Sequence, residues 1–275
     1  MSAGEEVIGV APVAAPAPRP VRLSPLVATL LTAAGLLALW LAASSFGWGS
    51  PGFLPHPAKV LAAVGRLRAA GYDDGTLFEH AAASLGRGFS ALAFSILVAV
   101  PVGLAIATSP VGRGILDPLV EFIRPLPPLA YLPLIIIWFG IGEGSKVLVI
   151  ALAMLAPIAI STAAGVRSAS ESQVNAARSF GAGRLAVLLH VQLPSAIPSI
   201  LTGIRIALGA GWSTLVAAEL VAASRGLGFM IQSAAQFLVT DIVIVGIFVI
   251  SALAFAFEAL LRLVERLFVR WSGHH

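Results

Sequence analysis

Six long apolar runs recur along this chain, at 26–46, 89–109, 120–140, 146–164, 199–222 and 242–262. Each approaches the ~20 residues that a helix rising ~1.5 Å per residue needs to cross ~30 Å of hydrocarbon. In lipid every backbone N–H and C=O must be bonded internally, so such runs fold as membrane-spanning helices. Composition agrees: 58% of the 275 residues are apolar, 11% are charged and mean hydropathy is +0.96, whereas a soluble domain carries about 25% charged residues. Too few charges remain to solvate a globular surface. The expected fold is all-α and integral to the membrane, with six transmembrane helices in one domain over 26–270.

The chain has no cysteine, which excludes disulfides and thiolate metal sites. The net charge of +4 does not point to nucleic acid, because the basic residues are scattered at the ends of apolar runs, where topology signals sit. Residues 1–25, rich in Ala and Pro with Glu5 and Glu6 ahead of the first arginine, read as a disordered cytosolic tail before an uncleaved first span. His274 and His275 carry no role, and His56, His80 and His190 have no ligand-like spacing, so no metal site is expected. Neither a GxSxG elbow nor a GxxxxGK[ST] phosphate loop occurs. The chain is not expected to be an enzyme.

Six spans put both termini on one side. With the N-terminus inside, Arg19, Arg22, Arg113, Arg124, Arg167, Arg178, Arg184, Arg262, Arg266 and Arg270 are cytosolic. Lys59, Arg66, Arg68, Arg87, Lys146 and Arg225 are outside. The excess favours cytosolic termini. The long segment 47–88 reads as an amphipathic surface helix and a turn bearing Asp73, Asp74 and Glu79. Pro125, Pro127, Pro128 and Pro133 make the third span the least regular.

The stretch 165–194 is polar, unlike the rest of the chain. Ser168 and Ser170 are candidate helix caps, and Glu171 falls on a first turn, where the helix dipole favours an anion. Gly181 and Gly183 permit a sharp turn before a second short helix, 184–192, closed by Pro194. The expected product is a cytosolic helix–turn–helix with small residues at its tip.

This loop resembles that of the importer permeases of the ABC superfamily, written EAA, three residues, Gly, nine residues, then I-x-L-P. Asn175-Ala176-Ala177, Gly181 and Val191-x-Leu193-Pro194 match every spacing, with Asn175 in place of the usual glutamate. The stretches 124–146 and 203–234 are similar to permeases of the taurine, alkanesulfonate and nitrate group. The run Gly211–Glu219 is most similar to the taurine-type members, and the resemblance covers residues 50–270. It implies a type I importer permease fold in the bacterial inner membrane. It also implies a cytosolic coupling helix (Asn175, Ala176, Ala177, Phe180, Gly181, Ala182, Leu193, Pro194) that docks on an ATP-binding cassette ATPase dimer. ATP and Mg would be bound by that partner and not by this chain. The other implied partners are a second permease copy, as a homodimer, a periplasmic or extracellular solute-binding protein, and membrane lipid. The implied solute is taurine or another sulfonate, with nitrate, bicarbonate or another small solute as alternatives within the class. An ion-coupled secondary transporter is the rival from another class. It calls for inverted repeats and several intramembrane ion ligands, and neither is found.

For a solute path the candidates are Trp138, Gly211, Trp212, Ser213, Thr214 and Glu219. Gly203, Ala207 and Gly211 recur every four residues, with Thr214 and Ala218 on the same face, a spacing that serves helix packing as well as a pore. Glu219, the one carboxylate well inside an apolar run, is either a gate or substrate contact or a structural hydrogen bond to a neighbouring loop. Arg205 either attracts an anion or snorkels to headgroups. Trp138 is either a path residue or an interface anchor. Gly226 and Gly228 are expected to shape a short outer re-entrant turn.

Overall fold

A computed structural model describes residues 24–46 and 53–268. The expected N-terminal tail, apart from its last two residues, lies outside the described residues, as do Arg270, His274 and His275.

Helix α1 (Pro25–Ser45) begins where Ser24 Oγ accepts a 3.3 Å hydrogen bond from the Val27 N–H. It is exposed along most of its length. Its anchor is Trp40, which donates to the Pro55 carbonyl at 3.2 Å and stacks on Phe248 of the last helix, α11 (Thr240–Phe268). Helix α2 (Pro57–Ala69) is the expected amphipathic surface helix. Val60, Ala63 and Leu67, spaced three and four apart, are its buried face, and Arg66 at the edge of that face pairs with Asp241.

Helix α3 (Leu77–Thr108) is longer than its apolar run. The sequence places 77–88 in the surface segment and starts the second span at 89; the helix instead starts at Leu77. A capping box sets that start, with Thr76 Oγ1 accepting from the Glu79 N–H and the Glu79 carboxylate accepting from the Thr76 N–H. Polar residues on this turn-by-turn extension are tolerated because their partners are supplied by other helices.

The third apolar stretch is also not one helix. Helices α4 (Pro110–Ile123) and α5 (Pro128–Phe139) meet at a bend of 106° over residues 124–127. Pro127 is extended because the ring of Pro128 disfavours helical backbone before it, and the prolines supply no N–H to carry the ladder through. Alone, α5 is about 18 Å long. Among the described residues five helices are long and apolar enough to cross a membrane, or six if this bent pair is one span.

Helix α6 (Glu143–Arg167) is the central post, packed between α3 and α9 (Leu193–Ala222). Ala91, Ala99, Ile150, Met154, Ile158, Ala159 and Ala207 form the shared core. Ser95 Oγ, donating to the Ala151 carbonyl at 2.9 Å, crosses the α3–α6 seam. After helix α7 (Glu171–Ser179) the chain enters α8 (Arg184–Val187), a π-helical turn (Leu188–Gln192) and α9 (Leu193–Ala222). Here the expected stop at Pro194 is corrected: α8 to α9 is one continuous rod, Arg184–Ala222. The Leu193 N–H bonds to the Leu188 carbonyl, one residue further back than in an α-helix. That wider turn lies just where the Pro194 ring crowds the carbonyl four residues before it. Helix α10 (Leu227–Gln236), buried on α9 and α11, follows the glycine turn, and α11 (Thr240–Phe268) closes the bundle. Among the described residues no strand forms.

Candidate functional site

At one end of the bundle an exposed elbow projects. Helix α7 starts at Ser170, whose Oγ accepts from the Gln173 N–H at 3.3 Å, and none of its residues is buried. Ser168 serves the other side of the junction, capping the end of α6 by donating to the Gly165 carbonyl. The end of α7 is a Schellman turn. The Ala182 N–H reaches the Ala177 carbonyl at 3.1 Å and the Gly181 N–H the Arg178 carbonyl at 2.9 Å. Gly181 sits between them at φ +85°. This is the physical content of the Ala-Ala-x3-Gly spacing: the glycine falls where the chain must turn left-handed. Gly183 keeps an ordinary φ of −70° and begins α8. The turn leaves Phe180 93% exposed, an aromatic ring presented outward. Asn175, Ala176, Ala177, Phe180, Gly181 and Ala182 stand together on this elbow. Leu193 and Pro194 lie apart from it, half-buried at the root of α9, where they shape the entry into the span.

At the opposite end lies a buried polar clamp. The Glu219 carboxylate accepts from Arg87 Nη1 at 2.6 Å, from Ser84 Oγ at 2.8 Å and from the Gly228 N–H at 2.8 Å. It is 1% exposed and the Arg87 side chain 5%. Arg87 also donates to Glu143 at 2.5 Å and to the Arg225 carbonyl at 2.7 Å, and Lys146 pairs with the same Glu143 at 2.7 Å. The turn after α9 is tied down by its own amides: the Gly226 N–H donates to His80 and the Leu227 N–H to Ser84. Gly226, at φ +137°, closes over the ion pair so tightly that a Cβ there would stand 2.5 Å from the Glu219 carboxyl carbon. The clamp thus joins α3, α6, α9 and α10, and balances two buried cations with two carboxylates.

Arg87, Ser84, Glu143 and Lys146 are not singled out by local sequence reasoning. A signal does exist: His80, Ser84, Arg87, Ala91 and Ser95 repeat every three to four residues, and all are buried on one face of α3. Arg87 is therefore an internal ion partner, and not the outward surface charge that the orientation count treats it as.

The path candidates are dispersed. Gly211 faces Met154 of α6, whose side chain would clash with a Cβ, and the rest of the small-residue stripe on α9 is buried too. Thr214 Oγ1 donates back to the Ala210 carbonyl. Ser213 is exposed, and Trp138 is 67% exposed on α5. Trp212 packs edge-on against Phe257 and lines a cavity of about 430 Å³ between α9 and α11, together with Arg205. Arg205 pairs with Glu265 of α11. Arg124 sits at the α4–α5 bend and pairs with Glu121 at 3.8 Å. Among the described residues no cluster of three or more His, Asp or Glu is close enough to hold a metal.

Residues 99–270 match the family model described as the binding-protein-dependent transport system inner membrane component. The taurine transport system permease protein TauC of Escherichia coli is 53% identical over 243 residues, covering 88% of each chain. The putative aliphatic sulfonates transport permease protein SsuC of the same organism is 38% identical, covering 86% of this chain and 89% of the relative. Among solved structures, a chain of the MetNI methionine ABC transporter superposes with a TM-score of 0.55 at 16% identity, over 68% of this chain and 95% of that one. That likeness shows the fold, that of a type I importer permease. With no strand among the described residues, five to six apolar spans and this match over most of its length, the chain belongs to the inner membrane permeases of binding-protein-dependent ABC importers.

Proposed function

We propose that this chain moves taurine, or a closely related aliphatic sulfonate, through the inner membrane. In this reading residues 26–270 form one permease domain, two copies pair as a homodimer, and both termini lie in the cytosol. Two ATPase subunits, which bind ATP and Mg, dock on the elbow, and a solute-binding protein delivers solute at the clamp end. The observation that carries the mechanism is the elbow. A short helix with no fully buried residue and an exposed aromatic at its tip suits a socket on another protein. The bundle behind it is stiff: α8 runs into α9 without a break, so a push on α7 is passed to a span that reaches the clamp. The substrate rests on the 53% identity to the taurine permease over 88% of both chains. Membership of the family displaces the ion-coupled alternative, and Glu219, held by Arg87, Ser84 and Gly228, has no free oxygen geometry for a cation.

A second reading within the class, an inorganic anion such as nitrate or bicarbonate, is favoured only by a 31% identical bicarbonate permease of Synechococcus elongatus. Reconstitution of the chain with its ATPase and binding protein in liposomes tests both. ATP-dependent uptake of labelled taurine is expected, and uptake of bicarbonate or nitrate without taurine overturns the substrate assignment.

A further inference from the structure

Helix α1 stands off the bundle, and the space behind it is a narrow apolar groove of about 300 Å³ between α1, α2 and α11. Leu37 of α1, Leu61 and Val64 of α2, and Val245 and Phe248 of α11 line it. The one polar side-chain group in the lining, the Trp40 indole N–H, is already given to the Pro55 carbonyl at 3.2 Å. A sulfonate or any other polar solute finds no partner there, whereas hydrocarbon needs none. A further helix, about 10–12 Å across with its side chains, does not fit, because the rings of Trp40 and Phe248 stack 6.1 Å apart across the same space.

The mouth of the groove is cationic. Pro57, Leu61, Val64 and Arg68 follow one another at spacings of four, three and four, so Arg68 ends the stripe of α2 that lines the groove. Arg66, two residues earlier, pairs with Asp241 in the first turn of α11, where the apolar span Thr240–Leu263 begins. This end of α2 therefore lies at the boundary between hydrocarbon and water. Arg68 is exposed and, unlike Arg66, has no ion pair among the described residues. A cation in the last turn of α2 also complements the helix dipole, but the dipole does not dictate its register with the groove. We propose that the groove holds an acyl chain of an anionic phospholipid, with the phosphate on Arg68. The lipid fills the space that α1 leaves open and ties that span to α2 and α11, which it otherwise meets at Trp40. It is held whichever solute the permease carries.

The test uses the permease–ATPase complex in detergent, incubated with phosphatidylglycerol or phosphatidylethanolamine, with the retained lipid measured by native mass spectrometry. Wild type is expected to retain phosphatidylglycerol in preference to phosphatidylethanolamine. Arg68→Gln is expected to weaken that retention about fivefold, the effect of one basic side chain on an anionic headgroup. Val64→Phe, which narrows the groove with another apolar side chain, is expected to expel both lipids. Lys59→Gln removes a cation from the side of α2 turned away from the stripe, and is expected to change nothing. Equal retention of the two lipids by wild type, or wild-type retention in Arg68→Gln, overturns the proposal. So does a loss in Lys59→Gln as large as that in Arg68→Gln, which marks attraction to a basic surface and not a site. Wild-type retention in Val64→Phe also overturns it, because the chain then lies outside the groove.

Discussion

Replacing Glu219 by alanine leaves the Arg87 guanidinium inside the bundle with Glu143 as its one remaining ion partner, and strips the Gly228 N–H of its acceptor. Breaking a buried pair from one side costs about 3–5 kcal/mol. The expected outcome is a sharp fall in the thermal stability of the purified permease, with Glu219→Gln milder because an amide oxygen still accepts. Equal melting of Glu219→Ala and wild type contradicts the clamp. Gly181 offers a different experiment, since a Cβ there meets no atom of this chain within 4 Å and only φ +85° restricts the residue. Asparagine tolerates that backbone and a β-branched residue does not. Gly181→Asn is therefore expected to keep the elbow folded yet lower import at least tenfold, because the docked partner and not the turn excludes the side chain. Wild-type import in Gly181→Asn assigns the glycine to turn geometry alone. Glu219 is legible in the sequence as an acid in an apolar run. Its partners are not, because Arg87 and Ser84 lie more than a hundred residues away in the chain.

What the sequence discloses at the level of elements follows how local their causes are. The α7 elbow is readable because its cap, its first-turn glutamate and its closing glycine are neighbours in the chain. The start of α3 is misplaced by a hydropathy reading because Glu79 is a surface charge that caps its own helix, while His80 and Arg87 look like surface groups until Gly226 and Glu219, far along the chain, supply their partners. The prolines mislead in both directions: those at 125–128 break a stretch that composition alone makes a span, whereas Pro194 lies inside a rod that a π-helical turn carries past it. Because Phe180 is 93% exposed, Phe180→Ala is expected to change stability by no more than about 0.5 kcal/mol. The same substitution should lower import and loosen ATPase association measured by co-purification. A destabilised permease with undiminished import contradicts the separation of the elbow from the fold.

Taken whole, the molecule is a close-packed core of α3, α6 and α9, locked by ion pairs at one end and presenting a helix with no fully buried residue at the other. The rod Arg184–Ala222 begins beside the elbow and carries both Arg205 and Glu219, so in the proposed mechanism a push on the elbow reaches the clamp through one helix. The chain has no native cysteine, so a single introduced thiol reports its own position without background. Phe180→Cys, paired with a cysteine in the ATPase groove, is cross-linked in proteoliposomes while sulfonate import is followed. Cross-linking to the ATPase from the nucleotide side is expected, with import stopped by the bond and restored by reduction. Labelling of position 180 only from the solute side, or import that continues unchanged through the cross-link, contradicts it.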